Sequence, residues 1–185
     1  MTEASRLAIL VFARLDSSRL PGKALTALGN RTVLGCAVDR LRRVASETPI
    51  VIATSDRAID DPIAAFAAEE GLDLYRGAAD DVARRAFDCA RALGLSALVR
   101  ISGDSPFIDP AIVDAVIRRY AIGDIDVATN VHPRSFPPGE SVEVVSTEAL
   151  ERILASNPDR EDREHVTRYI YSHPDLFRIG NVAAP

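Results

Sequence analysis

The chain has 185 residues, 47% of them hydrophobic, and this length suits one globular domain with a substantial buried core. With 22 basic and 27 acidic residues its net charge is −5, so no overall positive field would attract nucleic acid or an anionic membrane. Any polyanionic ligand must therefore be bound by a local cluster of cations.

The cysteines and the first apolar run predict a cytoplasmic protein. Cys36 and Cys89 lie far apart, outside any CxxC motif and among apolar residues, which favours reduced core thiols over a disulfide or a metal site. The run LAILVFA at 7–13 is too short to span a membrane, and it has neither a basic region before it nor a cleavage signal after it. We therefore expect this run to form a buried strand.

Strands and helices alternate over the first two thirds of the chain. Apolar runs bounded by turn residues predict buried strands at 7–13, 49–55, 72–77, 97–103 and 124–130. Apolar residues at helical spacing predict helices at 32–45, 60–71, 80–94 and 109–120. Strands buried on both faces, each followed by a helix, predict an α/β fold with a parallel sheet between two helical layers.

Residues with strong positional preferences mark the ends of two of these helices. Asp61 is predicted to cap the second helix, with Pro62 at its first position and Gly71 at its end. The Asp109-Pro110 pair opens the fourth helix in the same way.

The pattern changes in the last third, 130–185, which we expect to be an irregular part of a single domain covering 1–185. A Pro-rich loop precedes an alternating strand at 141–146, which predicts an antiparallel excursion. Helices are predicted at about 147–156 and 161–172.

Charged residues follow several of the predicted strands. Ligands of such sheets collect at the carboxyl ends of the strands, and five charged residues fall on that edge: Arg14, Arg19, Lys23, Arg76 and Asp104. The loop RLDSSRLPGKAL after the first strand carries three of them, which suits a triphosphate. The chain has neither a Walker A motif nor GxGxxG, so we expect these cations and the amides of the Pro-Gly turn to bind phosphate.

Asp104 follows a buried strand directly, where an unpaired carboxylate is unfavourable. Because Mg²⁺ prefers one or two carboxylates together with phosphate oxygens, we predict that Asp104 is a magnesium ligand. Glu143 is the candidate for a second carboxylate ligand. An exposed position on the alternating strand is an equally good interpretation of Glu143.

Five segments between about 7 and 181 carry a distinctive order of residues: FARLDSSRLPGKAL, YRGAADDVARRAF, VRISGDSPFIDP, VEVVSTEALER and REHVTRYIYSHPDLFRIGN. In these segments the chain resembles the SpsF-like cytidylyltransferases. These are spore-coat polysaccharide biosynthesis proteins related to the synthetases of CMP-Kdo and CMP-sialic acid. The first segment is the most specific, because it carries the family's nucleotide-binding signature.

This resemblance implies a nucleotidyltransferase fold, a Rossmann-like three-layer α/β/α sandwich with a mostly parallel sheet. It implies an enzyme that uses Mg²⁺ to transfer CMP from CTP to an acidic or modified sugar, with release of pyrophosphate, in surface polysaccharide biosynthesis. It also implies a homodimer with the late helices as its interface.

The resemblance further implies roles for individual residues. Those expected to bind the β- and γ-phosphates and to stabilise the leaving pyrophosphate are Arg14, Ser18, Arg19 and Lys23. Those expected near the base are Ala53, Thr54 and Ser55. Those expected to form the nucleotide pocket are Arg76 and Asp81, with Arg100 supporting it from behind. Those expected near the sugar or a dimer partner are Glu164 and His165. The residues predicted to matter most for catalysis are Arg19, Lys23 and Asp104.

Three departures from the family pattern keep two alternatives open. Phe12 stands where relatives have Gln, Ser141 replaces a carboxylate, and the sequence ends at NVAAP where relatives continue into Asp-Thr-Pro-Glu-Asp. The first Asp of that segment is a metal ligand in the Kdo-type enzymes, so Glu143 would have to substitute for it. One alternative is a catalytically impaired homologue that binds nucleotide or serves as a partner subunit. The weaker one is a metal-dependent glycosyltransferase, for which an Asp-x-Asp is expected where the chain has Gly103-Asp104-Ser105.

Overall fold

The computed structural model describes residues 6–17 and 20–185. Its strands are β1 (Leu7–Phe12), β2 (Ala27–Leu28), β3 (Arg31–Thr32), β4 (Ile50–Ser55), β5 (Asp73–Gly77), β6 (Ala97–Ser102), β7 (Val127–Thr129), β8 (Glu143–Ser146) and β9 (Ile179–Asn181). Its helices are α1 (Val33–Leu41), α2 (Asp61–Glu69), α3 (Val82–Ala92), α4 (Pro110–Ala121), α5 (Thr147–Ala155), α6 (Arg160–Glu164) and α7 (Arg168–Ser172). Among the described residues, no helix combines the length and the apolar character that crossing a bilayer requires.

The central sheet has the strand order β5-β4-β1-β6-β8-β7-β9, and β2 pairs with β3 in a separate hairpin. Strand β1 lies parallel to both of its neighbours, β4 and β6. Among the strands of the described residues, only β8 runs antiparallel within this sheet, against β6 on one side and β7 on the other. The structure thus confirms the predicted α/β fold, its mostly parallel sheet and the antiparallel excursion.

Two apolar cores flank the sheet, because successive side chains of a strand point to opposite faces. On one face Ile9 and Val11 of β1 pack in the core that α1, α2 and α4 complete. On the other face Leu10 and Phe12 pack in the core that α3, α5 and α7 complete. Burial of both faces explains why the run that forms β1 is continuously apolar.

Several local predictions differ from the structure. The helix predicted at 161–172 is two short helices, because His165 leaves helical backbone geometry after α6 and α7 begins at Arg168. The strand predicted at 124–130 is reduced to β7, since Asp124 has a positive φ of 58°. The hairpin β2–β3 and the edge strand β9 were not predicted.

Asp60, and not Asp61, occupies the N-cap position of α2. Its buried carboxylate accepts a hydrogen bond from the backbone amide of Leu15 at 2.7 Å and another from the hydroxyl of Ser55. Asp60 therefore ties the loop after β1 to the end of β4.

We expect Asp60→Ala to lower the free energy of unfolding by about 3 kcal/mol, because it leaves the buried hydroxyl of Ser55 and the partly buried amide of Leu15 without their acceptor. Asp61→Ala is the matched control. The Asp61 carboxylate is mostly exposed and pairs with Arg76, so we expect a loss below about 1 kcal/mol. Urea unfolding of both variants measures the difference, and equal losses would contradict the role given to Asp60.

Both cysteines are free thiols, but only Cys89 is a core residue; Cys36 is half-buried. Burial raises the pKa of Cys89 to about 12, so its thiol stays protonated at neutral pH. We expect a thiol-specific reagent to leave Cys89 unmodified in the native protein and to modify it in urea. Modification of native Cys89 at the rate of the unfolded chain would contradict this arrangement.

Candidate active site

A cavity lies at the carboxyl ends of β1 and β6, the two neighbouring strands at the centre of the sheet. From β1 the chain moves outward to β4 and β5, then returns to place β6 on the other side of β1. This is a topological switch point, where open α/β sheets bind their ligands. The wall comprises the ends of both strands, the loop after β1, the start of α3 and the end of α6.

The loop after β1 contains the predicted Pro-Gly turn. Gly22 has φ 74° and ψ 0°, the geometry that a type II turn requires at its third position, with Pro21 before it. The amide of Gly22 donates to Leu15 at 2.7 Å and that of Lys23 to Leu20 at 3.3 Å. These two amides are therefore used within the loop, and the predicted anion nest is wrong for them. The predicted phosphate ligands Ser18 and Arg19 lie outside the described residues.

A glycine lets the ends of β1 and β6 approach each other closely. The amide of Gly103 donates to the carbonyl of Phe12 at 2.8 Å. A Cβ atom at Gly103 would lie 2.9 Å from Cβ of Ala13 and 3.0 Å from that carbonyl oxygen. This close approach brings Asp104 next to the loop that follows β1.

Lys23 and Asp104 form an ion pair in the cavity wall, with 2.5 Å between Nζ and Oδ2. The hydroxyl of Ser102 donates to Oδ1 of Asp104 at 2.6 Å. Partial burial tends to raise the pKa of Asp104, but the hydrogen bonds from Lys23 and Ser102 outweigh it and lower the pKa below 3.8. Asp104 is therefore ionised at neutral pH. The structure brings together these two residues that the sequence placed on one edge.

Arg14 and Glu164 form a second ion pair across the cavity, with 2.7 Å between Nη2 and Oε1. Arg14 also contacts Asp16, which accepts a hydrogen bond from Arg57. Burial tends to raise the pKa of Asp16, whereas the hydrogen bond from Arg57 and the charges of both arginines lower it overall. The loop after β1 is thus bound by charge to α6, the helix that carries Glu164.

His165 follows Glu164 and also lines the cavity. The position of this segment is fixed by Arg163, whose Nη1 donates to Asp81 at 2.8 Å. The other carboxylate oxygen of Asp81 caps α3 by accepting from the amide of Arg84 at 2.8 Å. Asp81 is therefore engaged between α3 and α6 and does not line the cavity, in contrast to the prediction.

The residues expected near the base do not reach this cavity either. The residues at the end of β4 are fully buried: Ala53, Thr54 and Ser55. Arg76 has all its guanidinium nitrogens engaged, by the carbonyls of Ser55 and Arg57 and by the carboxylate of Asp61. Arg76 therefore holds the end of β4 against α2, and the structure assigns neither this arginine nor those buried side chains to the cavity.

Glu143 is neither exposed nor part of the cavity wall. It is 2% exposed and pairs with Arg100, with 2.6 Å between Oε2 and Nη1. Its Oε1 accepts hydrogen bonds from the hydroxyls of Thr167 and Tyr171, both at 2.6 Å. Burial and the charge of Glu143 raise the pKa of Tyr171, which keeps that hydroxyl a donor. Both oxygens of Glu143 are thus occupied by side chains, and the exposed interpretation is wrong.

Besides Arg14, the described residues contribute two more arginines to the cavity wall, and one of them was not predicted. Arg100 of β6 forms part of the wall itself, where the sequence suggested a supporting position behind it. Arg85 of α3 is 2% exposed and was missed. The signal was present, since Arg85 lies between Val82 and Cys89 on the apolar face of a helix, where a cation is out of place.

The sequence also carried an unused signal for Lys23. It is the only lysine in a chain whose other 21 basic residues are all arginine. Every other basic side chain is a guanidinium, so the ammonium at position 23 indicates that this position requires lysine and not arginine. The two groups bind phosphate differently, lysine as a point charge and arginine as a planar set of donors.

Comparison with known proteins points to one family. A model of the cytidylyltransferase family matches residues 8–184. The chain is 34% identical over 183 residues to the spore coat polysaccharide biosynthesis protein SpsF of Bacillus subtilis, covering 95% of this chain and 74% of that protein. It is 30% identical over 142 residues to a 3-deoxy-manno-octulosonate cytidylyltransferase of Anaeromyxobacter, covering 76% and 57%. A cytidylyltransferase structure from Leptospira borgpetersenii superimposes with a TM-score of 0.94 at 29% identity, covering 98% and 77%.

Proposed function

Because the chain belongs to the cytidylyltransferase family, we propose that it transfers CMP from CTP to an acidic sugar, with release of pyrophosphate, for the synthesis of a surface polysaccharide. The observation that carries the proposal is the ion pair between Lys23 and Asp104 at the topological switch point. A cation for phosphate and a carboxylate for a metal ion lie side by side there.

The triphosphate is bound by exchange of ion-pair partners. In the structure Lys23 and Arg14 are each neutralised by a carboxylate, Asp104 and Glu164 respectively. Phosphate oxygens offer the same cations a ligand of higher charge, which frees Asp104. Lys23 acts as a point charge on the phosphates, whereas Arg14 presents a planar pair of donors.

Asp104 would hold the proposed Mg²⁺ together with phosphate oxygens of CTP. A single ionised carboxylate next to a phosphate site fits this ion, which commonly takes most of its other ligands from water and substrate. Glu143 does not fit the second ligand position, because its oxygens are bound by Arg100, Thr167 and Tyr171. When bound, the ion neutralises charge on the phosphates.

In the proposed reaction a sugar hydroxyl attacks the α-phosphorus in line with the departing pyrophosphate. The new bond joins the hydroxyl oxygen to the α-phosphorus, the bond from that phosphorus to the bridging oxygen of pyrophosphate breaks, and the hydroxyl passes its proton to solvent water. Lys23 and Arg14 stabilise the charge that develops on the pyrophosphate, which is the main contribution a protein makes to such transfers. Glu164 and His165 also line the cavity, and we propose that the acceptor binds beside them.

The single lysine offers a direct test of nucleotide binding in this cavity. An amine-reactive reagent can modify one ε-amino group in this chain, that of Lys23. We propose that saturating CTP with Mg²⁺ slows this modification at least tenfold, measured by mass spectrometry of the peptide that contains Lys23. Modification at the same rate with and without CTP would overturn the phosphate-binding role.

Assembly and location stay predictions. We propose a homodimer whose interface includes the late helices α5–α7, and a cytoplasmic location. Sedimentation velocity distinguishes a dimer from a 20.0 kDa monomer.

A further inference from the structure

Arg85 and Arg100 share an unusual property. Both line the cavity, and in each the Nε atom is buried without a hydrogen-bond partner among residues 6–17 and 20–185. Buried polar atoms in proteins are nearly always paired, so an unpaired one calls for an explanation. Two unpaired Nε atoms, both on guanidinium groups that line one cavity, indicate that this cavity binds a ligand with hydrogen-bond acceptors.

Arg85 carries its charge without a carboxylate. Within residues 6–17 and 20–185 no Asp or Glu forms an ion pair with it. Its Nη1 donates to the carbonyl of Ala78 at 2.8 Å, and the guanidinium lies 5.8 Å from the centre of the Phe12 ring. Burial lowers the pKa of Arg85, and the nearby charge of Arg14 lowers it further. A buried cation with one carbonyl partner is unfavourable unless a ligand supplies the missing negative charge.

Arg100 is held in a fixed orientation. Glu143 accepts from its Nη1, and Thr167 and Tyr171 fix Glu143 in turn. This network engages Nη1 of the guanidinium, while the side chain of Arg100 lines the cavity. A group held in this way is ready to bind an oxyanion with little further ordering.

We infer that Arg85 and Arg100 form a second anion site in the cavity, which binds the carboxylate of the acceptor sugar. The inference rests on the proposed function. Carboxylate and phosphoryl oxygens both suit a guanidinium, so the α-phosphate of CTP is the other possible source of the anion. We choose the acceptor because the nucleotide phosphates already have Lys23, Arg14 and the metal ion on Asp104.

The test compares two adjacent arginines of α3. Arg85→Met removes the buried charge, and Arg84→Met is the matched control, since Arg84 is exposed and pairs with Asp88 outside the cavity. Arg100→Gln completes the set. Binding of N-acetylneuraminate and of 3-deoxy-manno-octulosonate is measured by calorimetry with CTP present and Mg²⁺ omitted, so that no turnover is needed.

We expect Arg85→Met and Arg100→Gln to weaken acid binding at least tenfold and to change CTP affinity less than twofold. Arg84→Met should change neither. If CTP affinity falls as much as acid affinity, the anion is the α-phosphate and the inference is wrong. It is also wrong if wild-type protein binds neither acid, or if the variants keep their affinity for an acid that wild-type protein binds.

Thermal unfolding separates this role from a structural one. Without ligands we expect the melting temperature of Arg85→Met to equal or exceed that of wild-type protein, because the variant removes an unpaired buried charge. A lower melting temperature with unchanged acid affinity would assign Arg85 to folding. Acid binding without pyrophosphate release in wild-type protein would refute the proposed function and leave the anion site intact.

Glu143 acts through Arg100 and is a positioning residue. Glu143→Gln should raise KM for the acidic sugar and leave kcat within about twofold, because the transferred phosphate does not contact Arg100 in this account. An equal fall in kcat and kcat/KM would contradict the positioning role.

Discussion

Replacing Lys23 with alanine is expected to lower kcat/KM for CTP by roughly 10²- to 10³-fold, the range found when one oxyanion donor is removed from an active site. The physical reason is that Lys23 is the cation of the cavity wall that pairs with Asp104 in the absence of nucleotide. The fold should persist, because the side chain is partly exposed and Ala24 and Gly22 keep the loop geometry. Pyrophosphate release measures the activity, and far-UV circular dichroism measures the fold.

Arg91→Ala provides the control for Lys23→Ala. It removes the same unit of charge from an exposed position on α3, outside the cavity wall. We expect its kcat/KM to stay within twofold of wild type. Near-normal turnover by Lys23→Ala would remove Lys23 from the phosphate site.

Asp104→Asn is expected to lower activity by at least about 10²-fold and to raise the Mg²⁺ concentration needed for half-maximal rate. Asparagine keeps the shape of the side chain and can still accept from Ser102, so the loss reports the charge and not the packing. Steady-state pyrophosphate release over a Mg²⁺ titration measures both effects.

Asp109→Asn is the matched control for Asp104→Asn. Its carboxylate caps α4 by accepting from the amide of Ala111 at 2.8 Å, and asparagine caps helices equally well. We expect wild-type activity and Mg²⁺ dependence. An Asp104→Asn enzyme with the same Mg²⁺ dependence as this control would show that Asp104 is not the metal ligand.

The sequence predicts the fold and the proximity of Lys23 to Asp104 well, because both depend on local patterns. Continuous apolar runs predict β1 and β6. The rule that ligands bind at the carboxyl ends of strands predicts that Lys23 and Asp104 lie at the same edge of the sheet. The family assignment made from the segments around these residues is confirmed.

The rule that ligands bind at the carboxyl ends of the strands does not say which strands form the site. It therefore selected residues at the ends of strands that lie away from the cavity. Thr54 and Arg76 lie near the carboxyl ends of β4 and β5, which are one and two strands from β1 on the side away from β6. The cavity lies at the ends of β1 and β6, so both residues are displaced from it, and Arg76 instead holds the end of β4 and the residues that follow it.

Glu143 shows a second reason for failure. Alternating polarity predicts one exposed face, but β8 lies between β6 and β7 inside the sheet. Helices cover both faces of the sheet at β8, so a carboxylate on either face is buried and needs hydrogen-bond or ion-pair partners. No pattern within the segment 141–146 could identify Arg100, Thr167 and Tyr171 as those partners, because they come from two other elements and an intervening turn.

The most direct test of the account is pyrophosphate release from CTP and Mg²⁺ by the wild-type chain, measured with each of a panel of acidic sugars. We predict release that requires the sugar, with one CMP-sugar formed for each pyrophosphate. Tight binding of CTP without release for any acid in the panel would contradict the account and identify the chain as a catalytically impaired homologue.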